Sequence, residues 1–442
     1  MPRDVAGILK SLTVEIAGLA PHVQGPVETY RMIADRYTIF TRIPVYEDDS
    51  GRLFADSLWV HDLSAHLSYI SDLRICCPVI RVDEPPPNCQ PILKLLRDRL
   101  IPLKREHGWI SVAKNVIPNF IQAIKACRST QIAHSGGAGW PFPLSYYLLA
   151  VRPILRFKWF MVIESSFWMI PAGSKPTLRQ RLSHHVNGLL VRCCLKAADA
   201  RLFTQEWYRR KLCPSSKRTL VSPAIWINES DVLSDSDFKA AISQRIGPIK
   251  ILFAARLIPP KGVGTILDAV RLLEETASSR PNLKLDIIGS GPLLNECRLL
   301  AIEMPSIVRV LEPVPYGPDF FKILRRYDAV LLANRQAEQP RLIADAFSQG
   351  VPCIASRTVG IESMVSEGET GILFDVDDAV SLAACLGKAA NDPSHLRAMS
   401  RKALLAGRGK THESMHSIRH RFLVETLGLE TATMDKEGRS TV

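Results

Sequence analysis

The sequence predicts two α/β domains, each on a mainly parallel, doubly wound sheet, with a cleft between them. Three observations carry that prediction. At 442 residues the chain exceeds what one compact core holds. Between Ile249 and Phe374, short apolar runs alternate with helix-like runs across short connections, the signature of a parallel sheet covered by helices. Finally, the stretch from Asn228 to Gly247 begins polar (NESDVLSDSD) and ends before a proline, which reads as an inter-domain connection. The expected organisation is a first domain over 1–228, a linker over 229–248, a second domain over 249–405, a helix over 406–427 and a structureless tail over 428–442.

The second domain has the cleaner pattern. It predicts strands Ile251–Ala254, Lys284–Ile288, Val308–Leu311, Ala329–Leu332, Pro352–Ala355 and Gly371–Phe374. Helices are expected at Val263–Thr276, Pro292–Ile302, Phe320–Arg326, Pro340–Gln349 and Val380–Ala390, with helical pattern again over Ser394–Leu427. The first half predicts strands Leu12–Ile16, Tyr37–Arg42, Ile75–Arg81, Thr130–His134, Trp159–Ile163, Ala200–Thr204 and Thr219–Ser222. Helical patterns lie between them at Gly25–Ala34, Ala113–Ala126, Ser145–Val151 and Leu178–Ala197.

Composition bounds the function. Hydrophobic residues make up 46% and charged residues 23%, a globular balance, with a net charge of +12 and a pI near 9.3. Such an excess favours anionic partners such as nucleotide phosphates or anionic lipid, and it also simply keeps proteins soluble. Nucleic acid is set aside, because no aromatic-basic recognition module is present. Ten cysteines form no CxxC pair, and the vicinal pairs Cys76-Cys77 and Cys193-Cys194 sit in apolar runs, as buried reduced thiols do. Residues 1–18 lack the apolar core of a signal peptide, and Arg152, Arg156, Lys158 and Glu164 break the most apolar stretch, Trp140 to Ile170. The expected location is cytoplasmic, with peripheral contact on the inner face of the membrane. The segment Lys94–Arg105 mixes leucines with cations and suits an anionic membrane surface, although Pro102 interrupts it and a solvated helix face reads the same way.

Candidate site residues gather where strands end. Arg256 and Lys261 follow the strand ending at Ala254, and two fixed cations there suit a diphosphate; an ordinary basic loop is the rival. Gly289 and Gly291 flank Ser290 at the next strand end, where a tight turn is the main role and ligand proximity the secondary one. Pro340 suits a helix start, whose free N–H groups attract phosphate. Glu338 before that helix and Asp345 within it are placed to meet sugar and ribose hydroxyls. Their rivals are an acidic helix-start residue and an i, i+4 pair with Arg341. In the first half, His134 precedes the glycine loop Gly136-Gly137-Ala138-Gly139, and Glu164 follows a strand, with capping by Ser165 or Ser166 as its rival. Asp62 and His66 stand one helical turn apart and read as structural, since no further metal ligands lie nearby in sequence. No metal site is expected.

Residues 249–405 resemble the donor-binding domain of retaining glycosyltransferases of the GT-B fold, family 4 (glycosyl transferases group 1), and the first half is similar in general architecture. The resemblance implies two Rossmann-like domains. It assigns Arg256 and Lys261 of the Arg-Leu-x-x-x-Lys-Gly loop to the donor diphosphate, and it places Gly289 and Gly291 in the family's Gly-x-Gly-Pro element. The family carries two glutamates eight positions apart, for the transferred sugar and the ribose. Here Asp345 takes the second place, Ala337 stands in the first, and Gln339-Pro340-Arg341 replaces the usual Gly-Phe-Gly. Either Glu338 supplies the carboxylate through a shifted loop, or sugar recognition differs. Where the family has His-x-His, this chain has His134 and Gly136.

What the resemblance implies is retaining, metal-independent transfer of a hexosyl-like sugar from a nucleotide-diphosphate sugar to a glycan or lipid-linked acceptor, in polysaccharide or cell-envelope glycan synthesis. The donor is a substrate and no cofactor is expected; Glu338, His134 and Glu164 are the catalytic candidates. The alternatives are a catalytically silent GT-B module that binds glycan or partner proteins, and a sugar-nucleotide epimerase of the same fold.

Overall fold

The computed structural model describes residues 32–166, 168–170, 176–214, 217–276, 281–434 and 440–441. The expected strand Leu12–Ile16 lies outside the described residues, as does most of the expected helix Gly25–Ala34, whose end is instead the short strand β1 (Met32–Ile33).

The N-terminal lobe continues through β2 (Tyr37–Phe40), β3 (Val45–Glu47), β4 (Leu53–Asp56), β5 (Leu73–Arg81), β6 (Cys89–Pro91), β7 (Leu100–Leu103), β8 (Ile132–Gly136), β9 (Lys158–Ile163), β10 (Ala200–Phe203) and β11 (Thr219–Val221). They join in the order β11-β10-β9-β8-β2-β5-β3-β4-β6, with β7 also on β5. Every pair from β11 to β3 is parallel, while β4 pairs antiparallel with β3 and β6. Successive residues of a strand face opposite sides. Phe160 and Val162 therefore enter one core with the helix Ser57–Leu67, and Trp159, Met161 and Ile163 enter the other with the helices Trp109–Arg128 and Leu178–Ala197. Cys76 and Cys77 are split in the same way, and both are buried; of the second vicinal pair, Cys194 is buried but Cys193 is exposed, which corrects half of that expectation.

The C-terminal lobe comprises β12 (Ile249–Ala254), β13 (Leu283–Ile288), β14 (Val308–Leu311), β15 (Ala329–Leu332), β16 (Cys353–Ser356) and β17 (Gly371–Phe374). All pairs are parallel, and the order is β14-β13-β12-β15-β16-β17. Numbered within the lobe this is 3-2-1-4-5-6, the Rossmann order, whose switch point lies between β12 and β15. Ile225, Ile227 and the helix Asp235–Ser243 pack on this lobe, the helix through Phe238 against Leu404 and through Asp235 to Arg401 and Arg408. The lobes are architecturally alike, each a mainly parallel sheet flanked by helices.

The helical pattern over Ser394–Leu427 is two helices, Pro393–Gly407 and His412–Leu427, separated where Gly409 takes a left-handed φ of 71°. The second helix returns to the N-terminal lobe, and Leu423, Leu427 and Leu429 complete the core under the helix Ser57–Leu67. Thr431–Met434, within the segment expected to lack structure, is β18, which pairs antiparallel with β1; β19 (Ser440–Thr441) pairs with β18. Residues 435–439 lie outside the described residues.

The segment Lys94–Arg105 does not form the expected membrane-facing surface. It divides into a one-turn helix, Lys94–Arg97, and strand β7, which adds to β5. Leu96 and Leu103 are buried in the two cores, and Leu95 and Leu100 pack against one of them. The leucines that would enter lipid are thus holding the lobe together. Leu96→Ala should lower the stability of the N-terminal lobe by about 2–5 kcal/mol, the range for a buried leucine truncation; the denaturant midpoint followed by tryptophan fluorescence reads it.

Candidate functional site

Four strand ends build the C-terminal part of the site. β12 ends at Ala254, and Arg256 stands exposed two residues beyond it. The loop then makes a turn of 3-10 helix, Pro259–Lys261, closed by Gly262 at φ 71°. A Cβ on Gly262 would lie 1.9 Å from the Ala333 carbonyl oxygen just past β15, so only glycine allows the two switch-point loops to touch. Arg335 N–H donates to the Pro260 carbonyl at 3.0 Å across the same seam. Gly289 and Gly291 serve similarly. A Cβ on either would lie 2.0 Å from Ala255 O or 2.5 Å from Leu257 O, and Leu257 N–H donates to Ser290 O at 2.8 Å. Their turn-and-packing role is visible. Pro292 precedes the helix Leu294–Glu303 rather than opening it, and Pro340 is the residue before the helix Arg341–Ser348 rather than its first.

Lys261 Nζ lies 3.5 Å from Glu338 Oε2, so the predicted diphosphate cation and the predicted sugar carboxylate face each other across the switch point. Ala337, where the resemblance expects a glutamate, presents its carbonyl to the other lobe and accepts from Gln205 Nε2 at 2.6 Å. Asp345 is buried in the helix Arg341–Ser348 and accepts from Tyr316 Oη at 2.8 Å. Burial pushes its carboxyl up to about 7, against the Tyr316 hydrogen bond and the Arg341 charge, which pull it down. The i, i+4 surface pair is not its environment.

The N-terminal candidates meet in a cavity of about 720 Å³ between the lobes. His134, Glu164, Asp62 and the loop Gly136–Gly139 line it, joined by Trp226 from the connection, Arg341 from the C-terminal lobe and Arg419 from the returning helix. Glu164 reaches the open space of the cavity, yet it is ringed by protein: burial raises its carboxyl, Arg419 and Arg341 draw it down, and Asp62 raises it. Among the described residues neither Ser165 nor Ser166 caps a helix, the next described one beginning at Leu178. Burial, then His66 and Arg419, hold His134 well below the usual histidine range, so it is neutral near pH 7; its buried Nδ1 has no partner among the described residues. Arg341 stacks its guanidinium 4.9 Å from the Trp226 ring centre. Arg256, Lys261, Glu338 and Asp345 do not line this cavity; among the described residues of the C-terminal lobe only Arg341 enters it.

Asp62 is the floor of that cavity and more than a helix-turn partner of His66. Its Oδ1 lies 3.0 Å from His416 Nε2 and 3.9 Å from an Arg419 nitrogen, and its Oδ2 lies 3.3 Å from His66 Nδ1. Burial alone would raise this carboxyl, but the histidines around it hold it well below the ordinary value. Asp62, His66 and His416 bring three metal-ligand atoms within 4.8 Å of one another, a third ligand that sequence proximity did not reveal. Each is already engaged: His66 Nε2 accepts from Arg419 at 3.2 Å, and His416 Nδ1 accepts from Tyr69 Oη at 3.1 Å. The Arg419 guanidinium stands beside the carboxylate where a cation would need to be, and like charges so close repel. The donor set does not fit a metal ion as arranged.

Comparison with known proteins agrees with the C-terminal geometry. Residues 248–392 match the family described as Glycosyl transferases group 1. That match falls within the C-terminal lobe. An exopolysaccharide phosphotransferase of Streptomyces coelicolor is 27% identical over 157 residues, 35% of this chain and 16% of the relative. The chain spans less than half the length of the curated relatives it matches. Among solved structures, sucrose-phosphate synthase from Thermosynechococcus elongatus superposes with a TM-score of 0.64 at 16% identity, over 89% of this chain and 99% of that one. Anabaena Alr3699/HepE in complex with UDP gives 0.61 at 13% over the same shares. At such identities these likenesses establish the GT-B fold alone, over the 89% of the chain they cover.

Arg341, Trp226, Arg419, Gln205 and Tyr316 were not singled out as site residues from the sequence. All but Arg341, which follows Glu338 by three residues, reach the site from a distant element, and no local spacing marks them. Asp345 gives a pH test. Its carboxyl is raised from 3.8 in the unfolded chain to about 7, so folding favours its protonated form; the native state loses stability as pH rises between those values and no more above them. Asp345→Asn removes that loss. The difference in unfolding free energy from denaturant titration, variant minus wild type, should grow from pH 4 to pH 7 and then level, with a total on the order of a few kcal/mol. A difference independent of pH would show that Asp345 is ionised throughout.

Proposed function

We propose that this protein transfers a sugar from a nucleotide-diphosphate sugar held by the C-terminal lobe to an acceptor hydroxyl in the N-terminal cavity. The observation that carries this reading is the pair of cations Arg256 and Lys261 on the loop after β12, at the switch point of a 3-2-1-4-5-6 sheet, where open α/β sheets bind nucleotides. In this reading the diphosphate lies against Arg256, Lys261 and the start of the helix Arg341–Ser348, which offset the charge that develops as it leaves. Lys261 is held by Glu338 until the donor arrives. Asp345, steadied by Tyr316, takes the ribose end. Glu338 takes the sugar, standing in for the glutamate that Ala337 replaces.

Transfer proceeds with retention. The acceptor hydroxyl attacks on the face from which the diphosphate departs, and a donor phosphate oxygen takes its proton, so no metal ion and no dedicated protein base are required. Neutral His134 and Glu164 hold the acceptor and the sugar by hydrogen bonds in the cavity. The acceptor is a glycan or lipid-linked glycan of the kind assembled in polysaccharide or cell-envelope synthesis. One observation favours a second reading, a silent binding module: Ala337 offers no carboxylate, and its carbonyl is tied to Gln205.

Arg256→Ala should weaken nucleoside-diphosphate binding at least about tenfold, because a charge-assisted contact is worth about 1.5–3 kcal/mol. Calorimetric titration with UDP, the nucleotide bound by the Anabaena neighbour, and with GDP and ADP is the measurement. Unchanged affinity in a folded variant would remove Arg256 from the diphosphate. Glu338→Gln should reduce donor hydrolysis or transfer more than it reduces nucleotide affinity, whereas Asp345→Asn should reduce the affinity itself. No nucleotide binding at all by the wild type would support the silent module.

A further inference from the structure

Charge and exposed apolar surface coincide on one part of the N-terminal lobe. Between Glu106 and Asp199 the chain has eleven lysines and arginines and a single carboxylate, Glu164, which faces the cavity rather than the surface. Nearly all of the protein's net charge of +12 therefore belongs to this segment. The helices Trp109–Arg128 and Leu178–Ala197 in it contain no acidic residue and lie in one layer, covering the same face of the sheet.

Their outer faces are apolar. Trp109 is 65% exposed, Ile110 76%, Ile117 67%, Leu178 83% and Leu182 64%. Ile110, Ile117 and Ile121 recur at steps of seven and four, and Leu178, Leu182, Val186 and Leu189 at four, four and three, so each set forms one stripe along its helix. Exposed Lys114, Lys125, Arg179 and Arg181 stand among them. Scattered exposed apolar side chains are ordinary, but stripes on two helices of one layer, with only the short helix Ser145–Val151 between them, are not.

The stripes also have a direction. Each helix leads through a few residues into a parallel strand, the first into β8 and the second into β10, so each begins at the carboxyl end of the sheet, where the cavity opens. The two most exposed of these residues, Leu178 and Ile110, are at those beginnings, with Trp109 and Leu182 beside them. Trp109 packs 5.9 Å from the ring of Trp140, which directly follows the cavity-lining loop Gly136–Gly139.

We propose that these two helices dock the protein on an anionic phospholipid bilayer, with the cavity mouth turned toward the lipid surface. Leucine, isoleucine and tryptophan enter the headgroup boundary, while lysine and arginine meet the lipid phosphates. No helix among the described residues is long and apolar enough to cross a membrane, so the contact is with the surface. The acid-free composition selects lipid of negative charge, and the apolar stripes select a bilayer over a dissolved polyanion, which offers charge without an apolar phase. The proposal stands apart from the transferase reading, since binding is measured with neither donor nor acceptor.

The test is co-sedimentation of the full chain with vesicles of phosphatidylglycerol and phosphatidylcholine in equal parts, against phosphatidylcholine alone. Binding to the anionic vesicles should exceed binding to the neutral ones about tenfold or more and fall as salt rises from about 50 to about 300 mM. The variant I110Q/I117Q/L178Q/L182Q should lose about tenfold or more of the vesicle affinity with its thermal midpoint unchanged. K114Q/R179Q/R181Q should lose the preference for anionic lipid, and K94Q/R97Q/R99Q/K104Q/R105Q should behave as wild type. Absence of vesicle binding at low salt would overturn the proposal, as would full binding by the apolar variant. Tighter binding to duplex DNA that the apolar variant leaves unchanged would also overturn it and identify a simple polyanion surface.

Discussion

One half-buried carboxylate holds the molecule's architecture together. Asp62 stands on the first well-formed helix of the N-terminal lobe, yet its partners His416 and Arg419 lie on the returning C-terminal helix. Removing a buried charge from water is costly unless it is paired, and truncating one member leaves the others stranded. The histidines and the guanidinium therefore fix where the returning helix sits. That in turn places Arg419 in the cavity, sets the potential felt by Glu164 and His134, and closes the core through Leu423 and Leu427. The acceptor side of the cleft is thus built by the two ends of the described chain.

The donor side depends on backbone approach rather than charge. Gly262 lets the loop after β12 touch the end of β15, and Gly289 and Gly291 let the loop after β13 press on Ala255 and Leu257. These contacts bring Lys261 opposite Glu338 without a side chain having to span the gap. The altered loop Ala337–Arg341 is stabilised from both directions. Gln205 grips it from the other lobe, and the Glu338 carbonyl lies so close to Gly360 that a Cβ there would stand 2.2 Å away. A guanidinium at 341 then projects into the cavity and stacks on Trp226.

Much of the C-terminal lobe was legible in the sequence. Val263–Thr276, Val308–Leu311, Ala329–Leu332 and Gly371–Phe374 fall where the apolar periodicity places them, because both faces of a parallel sheet are buried and each strand is a compact apolar run. The N-terminal lobe was less so. β3, β4, β6 and β7 are short, and β6 and β7 carry Pro91 and Pro102 within them, so neither period stands out. In Lys94–Arg105, leucines mixed with cations fit a surface helix and a turn-plus-strand equally well; pairing with β5 decides. Arg256 and Lys261 were visible because a strand end and its loop are local. Arg419 meets Asp62 from more than three hundred residues away, and nothing in either segment announces the other.

The returning helix has a consequence for biosynthesis. A lobe made of contiguous sequence can finish folding while the ribosome is still working on the next. Here the N-terminal sheet is complete at Val221, but Leu423, Leu427 and Leu429, which seal one of its two cores, emerge only about two hundred residues later. At typical elongation rates that delay is on the order of ten to forty seconds. During that time the apolar faces of the helix Ser57–Leu67 and strand β9 lack their cover, while the C-terminal lobe, whose core needs nothing from the other half, folds ahead of the segment made before it. The lobe synthesised first is the one finished last, and the nascent chain is most vulnerable to aggregation in between.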